Sequence, residues 1–168
     1  LEVNWEALKM ELSEYFQRIY GFESDFTMLY QEFDKVNEFF GIKAKEKALA
    51  IIEKYELIGV EDIEFIPETI RLIENLRDKK IRLAIFSCNT RKAIEKALMK
   101  INKLDLFESI VTLEDVSKVK PNPEGIHKIL RECKVDRSRA LFVGDKQRDL
   151  EAGRRAGIKT VLIKELKA

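Results

Sequence analysis

In residues 1–60, apolar residues recur at steps of three and four, the spacing that places them on one face of an α-helix. Three such stripes follow one another: they are separated by Gly21 and Gly41, and the third ends near Gly59. The stripes comprise Trp5, Leu8, Leu12, Tyr15, Phe16 and Ile19, then Leu29, Phe33, Val36, Phe39 and Phe40, then Ala48, Ile51, Ile52 and Tyr55. Strand-like alternation is absent here, so the sequence predicts a small helical bundle with the phenylalanines and tyrosines of these residues in its core.

From Pro67 onward, short apolar runs alternate with amphipathic segments. Pro67 suits the first turn of a helix. Strands are predicted over residues 81–86, 109–112, 140–143 and 160–163, with helices over 90–101, 123–133 and 150–156. Strands separated by helices of this length form right-handed βαβ units on a parallel sheet, so this half of the chain is predicted to be α/β.

Composition and charge narrow the classes of protein to which the chain can belong. It has 168 residues, of which 45% are hydrophobic and 36% charged, enough apolar material for a core. The formal net charge of +1 offers no electrostatic case for nucleic acid or an anionic membrane, and the apolar runs are too short to span a bilayer. Two cysteines do not make a disulfide framework, which favours the reducing cytoplasm.

Candidate chemistry clusters where the predicted strands end. Ser87 follows the first apolar run, and Lys120 stands in the sequence Lys-Pro-Asn-Pro. Asp145 follows the run over residues 140–143, and Asp149 comes four residues later. In open α/β sheets, ligands bind beyond the carboxyl ends of the strands, so a hydroxyl, an ammonium and two carboxylates are predicted to meet at one edge.

Each of these residues also has a plain structural interpretation when taken alone. Ser87 and Asp145 suit helix N-caps, and Asp149 suits the first turn of a helix. Lys120 suits a solvated position in a loop stiffened by prolines. Cys88 has no histidine partner that would indicate a thiol nucleophile. The order and spacing of the four candidates carry more information than any one of them.

That order and spacing resemble the haloacid dehalogenase superfamily, and within it the branch of phosphoglycolate phosphatases. Residues 83–87 are similar to its second motif, a strand ending in Ser or Thr, and residues 120–123 to its third, Lys-Pro-x-Pro. Gly-Asp-x-x-x-Asp at residues 144–149 is similar to its fourth motif. The resemblance covers about residues 67–168. It implies a Rossmann-like three-layer parallel sheet over residues 65–168, with residues 1–64 as a helical cap domain.

The resemblance also implies an activity, which is Mg²⁺-dependent hydrolysis of a small phosphorylated metabolite. Asp145 and Asp149 would hold Mg²⁺, which prefers carboxylate oxygens. Lys120 would neutralise phosphate charge, Ser87 would donate a hydrogen bond to a phosphoryl oxygen, and the cap would exclude water. Phosphomutases of the superfamily share these motifs, whereas its metal-independent dehalogenases carry a different fourth motif and are less favoured.

The first motif of the superfamily, Asp-x-Asp at the end of the central strand, does not occur in these residues. In the superfamily its first Asp becomes an aspartyl-phosphate. We therefore expect the natural polypeptide to carry that strand about ten to twenty residues upstream, given typical strand and loop lengths. The alternative is a catalytically incompetent relative that serves as a phosphate- or metal-binding interaction module. The substrate and the oligomeric state are not specified by any motif in the sequence.

Overall fold

The computed structural model describes residues 1–163. Its first part consists of three helices, α1 (Trp5–Tyr20), α2 (Leu29–Phe40) and α3 (Ile42–Glu61). The Asn4 side chain accepts a hydrogen bond from the Ala7 amide at the start of α1, which satisfies one of the free N–H groups of its first turn. Gly21 ends α1 with a φ of 62°, a left-handed conformation that glycine adopts without strain. The predicted helical region is confirmed.

The helical stripes are buried at their centres and exposed at their ends. Leu8, Leu12 and Phe16 on α1 are 0% exposed, as is Val36 on α2. Phe39 lies at the surface, contrary to the expectation that it belongs to the core: it is 62% exposed. Trp5 and Ile19, on the stripe of α1, are 39% and 52% exposed. The strip that neighbouring helices cover is narrower than the apolar stripe in the sequence.

The second part alternates helices and strands as predicted. It comprises α4 (Pro67–Asp78), β1 (Leu83–Phe86), α5 (Arg91–Lys100), β2 (Phe107–Val111), α6 (Glu124–Glu132), β3 (Leu141–Gly144), α7 (Gln147–Ala156) and β4 (Lys159–Leu162). The predicted bounds differ from these by up to three residues; α7, for example, begins at Gln147 rather than at residue 150. The last residue predicted as strand, Ile163, lies just beyond β4. No described helix has the length and apolar character needed to cross a membrane.

The strands form two parallel pairs. β1 pairs with β2, and β3 pairs with β4, while no ladder joins the two pairs among residues 1–163. The predicted parallel α/β architecture is therefore present as two half-sheets, and β1 and β3 each keep one edge free of backbone pairing. Phe86 at the end of β1 and Phe142 on β3 lie 6.5 Å apart between ring centroids, so the two halves face each other closely.

Glycines allow the close packing that brings the strand ends together. A Cβ atom on Gly125 of α6 would lie 2.2 Å from the Phe86 ring, and one on Gly153 of α7 would lie 1.7 Å from the Thr160 hydroxyl oxygen. Only glycine fits at these distances, because real Cβ atoms do not approach other heavy atoms so closely. The helices α6 and α7 therefore hold β1 and β4 in place and position the carboxyl ends of the strands.

Candidate active site

Ser87 lies directly after β1, at the carboxyl end of the strand. Its amide donates a hydrogen bond to the Val111 carbonyl at 3.0 Å, which continues the pairing with β2 for one more residue. Its hydroxyl donates to Asn89 Oδ1 at 3.0 Å, and the Asn89 amide donates back to the hydroxyl oxygen at 3.1 Å. The hydroxyl is half-buried and held by a tight turn, so it is oriented before any ligand binds.

Lys120 crosses from the loop before α6 to the end of β1. It is 9% exposed, and its ammonium donates a hydrogen bond to the Phe86 carbonyl at 3.0 Å. The same nitrogen lies 4.9 Å from the centroid of the Phe86 ring, a distance at which a cation and an aromatic face attract each other. The following peptide bond, to Pro121, is cis. The lysine is therefore a buried cation at the strand ends and not the solvated loop residue of the plain interpretation.

Asp149 is the counter-charge of Lys120. It is 3% exposed, and its Oδ1 lies 2.7 Å from the Lys120 ammonium. Its Oδ2 accepts hydrogen bonds from the amides of Lys146, at 3.0 Å, and Asp145, at 3.3 Å. Burial disfavours the carboxylate, but Lys120 and the two amides outweigh it, so the pKa of Asp149 lies below its ordinary value.

Asp145 occupies the loop between β3 and α7 and keeps its carboxylate at the surface. The side chain is 61% exposed, and its single ion pair within the described residues is with the exposed Lys146 at 3.4 Å. The backbone of Asp145 is anchored by Asp149, as described above. Asp145 therefore presents an accessible carboxylate beside a buried ion pair, while both oxygens of Asp149 already have partners.

Gly144 allows this loop to fold back on Asp149. A Cβ atom at this position would lie 2.3 Å from Asp149 Cβ and 2.7 Å from its Cγ. The Gly-Asp-x-x-x-Asp spacing thus has a steric reason, because the glycine makes room for the second aspartate beneath the loop. The structure brings Lys120 and Asp149 into direct contact. The amide of Asp145 donates to Asp149, and Ser87 follows Phe86, whose carbonyl accepts a hydrogen bond from Lys120.

Sequence reasoning missed Glu56, which joins the helical part to the loop after β1. Glu56 lies on α3 and is 0% exposed. Its carboxylate accepts hydrogen bonds from the Asn89 side-chain amide at 2.7 Å, the Thr90 amide at 2.8 Å and the Thr90 hydroxyl at 2.7 Å. Burial raises the pKa of Glu56, and these donors oppose the shift. The available signal was a charged residue four positions after Ile52, on the buried face of α3.

Two further polar contacts tie the helical part to the loop that carries Lys120. The Lys45 ammonium, buried on α3, donates to the Val116 carbonyl at 2.6 Å. The Val119 amide donates to the carboxylate of Asp34 on α2 at 3.2 Å. Burial raises the pKa of Asp34 and lowers that of Lys45. The loop before Lys120 is therefore positioned partly by residues that lie some 70 or more positions earlier in the chain.

Arg148 and Tyr30 form a third contact between the two parts. The guanidinium carbon of Arg148 lies 4.5 Å from the centroid of the Tyr30 ring. Burial raises the pKa of Tyr30 to about 12. Neither residue was singled out from the sequence, because an arginine at the start of a helix and a tyrosine within an amphipathic helix are both common.

The metal-ligating groups of the site are few. Among residues 1–163, no three His, Cys, Asp or Glu side chains are close enough to hold an ion by themselves. Cys88 is 4% exposed, and burial raises the pKa of its thiol, so it is poorly suited to act as a nucleophile. The site thus combines one accessible carboxylate, a buried Lys–Asp pair and an oriented hydroxyl.

The chain is similar to curated proteins over part of its length. The pyrophosphatase PpaX of Bacillus mycoides (strain KBAB4) is 35% identical over 105 residues, which are 62% of this chain and 47% of the relative. The chain therefore spans about half the length of the curated relatives it matches.

Solved structures show the same fold. CbbY from Rhodobacter sphaeroides in complex with xylulose-(1,5)bisphosphate has a TM-score of 0.66 and 20% identity, over 95% of this chain and 80% of that one. A protein from Lactobacillus plantarum assigned as a phosphoglycolate phosphatase has a TM-score of 0.64 and 21% identity, over 94% and 77%. At such identities the likeness concerns the fold alone. The sequence model of the haloacid dehalogenase-like hydrolases matches residues 6–163, nearly the whole chain, and the chain belongs to that family.

Proposed function

We propose that the protein to which this chain belongs is a Mg²⁺-dependent phosphatase acting on a small phosphorylated metabolite. The observation that carries the proposal is the buried ion pair between Lys120 and Asp149, 2.7 Å long, beneath the accessible carboxylate of Asp145. Burying two charges costs free energy of desolvation, which their attraction offsets only when the geometry and the further hydrogen bonds are good. A cation held at the strand ends beside a free carboxylate suits the binding of phosphate together with a metal.

The donor set fits Mg²⁺, a hard cation that takes one or two carboxylates and completes its shell with water and phosphate oxygens. Asp145 would be the direct ligand, because its carboxylate is exposed and lightly paired. Asp149 would support this ligand. Its carboxylate holds the loop by accepting hydrogen bonds from the amides of Asp145 and Lys146, and it balances the charge of Lys120. When bound, the metal would neutralise charge on the transferred phosphoryl group.

The chain's own residues would bind and orient the phosphoryl group. Lys120 would contribute the fixed positive charge, and the Ser87 hydroxyl would donate to a phosphoryl oxygen after turning from Asn89. Residues 1–64 would act as a cap domain over residues 65–168, with Glu56 joining the two. Closing such a cap excludes water, which strengthens every electrostatic contact in the site.

We propose that the nucleophilic aspartate is supplied by a strand outside these residues. Phe86 on β1 and Phe142 on β3 lie 6.5 Å apart between ring centroids, and Leu141 and Val143 on β3 are 56% and 40% exposed. Parallel strands of an α/β fold are ordinarily buried on both faces, and unpaired edges are costly. A strand placed between the two half-sheets would pair with both edges and end beside Lys120.

The relatives' names support the substrate class. They refer to pyrophosphatase activity, to phosphoglycolate phosphatase assignment and to a complex with a sugar bisphosphate, all small phosphorylated compounds. The competing function is a phosphate-binding module without turnover. Its basis is the absence of Asp-x-Asp from these residues.

An assay of Mg²⁺-dependent hydrolysis of an aryl phosphate separates the two functions. It should be run on the 168-residue chain and on the full-length protein encoded by the gene. We expect activity in the full-length protein only, lost at least ~100-fold in Asp145→Ala, because a direct ligand should matter at least as much as its supporting residues. Asp105→Ala, a change at an exposed aspartate away from the strand ends, is the control. Activity in neither protein would favour the binding module.

A further inference from the structure

Arg148 has an unusual environment for a residue beside an active site. It lies on α7, one position before Asp149, and its guanidinium stacks on Tyr30 of α2. Its Nε atom is buried and has no hydrogen-bond partner among the described residues, and no carboxylate there lies within ion-pair distance of it. Buried polar groups are ordinarily hydrogen-bonded, so a donor left without a partner needs an explanation.

The position of Arg148 relative to the candidate phosphate site suggests an explanation for this donor without a partner. Burial raises the pKa of the Cys88 thiol, and the charges of Lys120 and Arg148 both oppose that shift. The two cations therefore lie within electrostatic reach of the same short loop, the one that begins with Ser87. Lys120 is neutralised by Asp149, whereas Arg148 lacks such a counter-charge among residues 1–163.

The stacking partner comes from the helical part of the chain. Tyr30 lies on α2, and burial rather than a charged partner dominates the raised pKa of its phenol. A guanidinium stacked on an aromatic face keeps its edges available for hydrogen bonds in the plane of the group. The guanidinium is thus held against the Tyr30 ring, 4.5 Å from its centroid, where the helical part meets the α/β part.

We propose that Arg148 binds a second anionic group of the substrate, so that the enzyme prefers phosphorylated compounds whose leaving group is itself an anion. Diphosphates, bisphosphates and phosphorylated carboxylic acids have this property. Arginine suits the role because its planar fork binds phosphate and carboxylate oxygens through two parallel hydrogen bonds. The assignment rests on the proposed function, since it takes the Lys120 side as the place of the transferred phosphate.

Binding measurements on the chain itself test the assignment without turnover. Pyrophosphate and orthophosphate are titrated calorimetrically into the unchanged chain and into Arg148→Gln. We expect Arg148→Gln to weaken pyrophosphate binding by about 10-fold or more, as loss of a charge-assisted pair predicts, and to leave orthophosphate binding within about 2-fold. Arg154→Gln, which removes the same charge from an exposed position of the same helix, should change neither.

A second variant, Arg148→Lys, provides the test if Arg148→Gln does not fold. Lysine keeps the charge but lacks the planar fork, so part of the preference for pyrophosphate over orthophosphate should be lost while thermal unfolding stays cooperative. An unchanged preference in a folded Arg148 variant would overturn the assignment, as would equal weakening of both ligands.

Failure of the assignment and failure of the proposed function give different results. Lys120→Met should weaken both ligands, because Lys120 is assigned to the transferred phosphate. If orthophosphate binds and depends on Lys120 but the preference ignores Arg148, only the Arg148 assignment fails. If neither ligand binds the 168-residue chain or the full-length protein encoded by the gene, both proposals fail.

Discussion

The helices α1 and α2 bury their apolar residues far more completely than the elements α4 and β3 do. On α1 and α2, residues such as Phe16 and Val36 are fully buried. By contrast, α4 contains no buried residue, and two of the four residues of β3 are exposed hydrophobics, Leu141 at 56% and Val143 at 40%. The apolar side chains of α1 and α2 are covered by neighbouring elements, whereas β3 exposes an apolar face.

The difference reflects how helices and strands satisfy their backbones. A helix makes its hydrogen bonds internally, so α1, α2 and α3 need only cover each other's apolar faces. Among residues 1–163, each of the four strands has a paired neighbour on one edge only, and an unpaired edge leaves backbone N–H and C=O groups without partners. One cluster of buried residues spans both parts, from Leu8 and Phe16 to Val111 and Ala152, so the contrast concerns the exposed face of β3 and the surface helix α4.

The largest expected loss of stability comes from truncating a buried side chain on α1. Phe16→Ala should destabilise the chain by about 3–5 kcal/mol, the usual cost of removing a buried aromatic ring. Phe39→Ala, at a position 62% exposed, is the matched control and should cost less than about 1 kcal/mol. Denaturant unfolding measures both. Similar losses in the two variants would show that the core does not lie where the structure places it.

A second test concerns the joint between the two parts. Glu56→Ala leaves the Thr90 amide and hydroxyl buried without an acceptor, at a cost of about 1–3 kcal/mol. Glu46→Ala, on the exposed side of the same helix, should be nearly neutral. Hydrogen exchange should show the loss at the start of α5. A loss confined to α1 and α2 would contradict the role of Glu56 as the joint.

A matched pair of substitutions compares the two parts directly. Val36→Thr buries a hydroxyl in a fully covered position and should cost about 1–3 kcal/mol. Val143→Thr makes the same chemical change on β3 and should stay within about 0.5 kcal/mol, because the residue is already solvated. Thermal unfolding of both variants gives the difference. A large effect at Val143 would indicate that its face is covered in solution.

The smallest effect is a dependence of stability on pH through Glu56. Burial raises its pKa above the ordinary value of 4.5, so the folded state retains a proton that the unfolded state has lost. Stability should therefore fall as pH rises from about the ordinary pKa through the raised one, and level off above it. Glu56→Gln cannot titrate and should flatten this slope, which unfolding curves across the acid range would reveal. The same slope in the glutamine variant would rule out Glu56 as its source.

Much of the fold could be predicted from local pattern. The apolar steps of three and four located α1, α2 and α3, and the short apolar runs located the four strands to within a few residues. Burial within a stripe could not be predicted, because it depends on which neighbour covers each residue; Ile19 and Phe16 share a stripe, yet only Phe16 is buried.

The sequence by itself determined the family resemblance and the four candidate site residues, since Ser87, Lys120, Asp145 and Asp149 stand at fixed spacings from strand ends. Tertiary structure decided how these residues are arranged. It paired Lys120 with Asp149, left the Asp145 carboxylate accessible, and brought Glu56 to Thr90 and Tyr30 to Arg148. The physical reason is that backbone pattern encodes which residues share a face or an edge. The partner of a buried charge, in contrast, is set by packing between segments far apart in the chain.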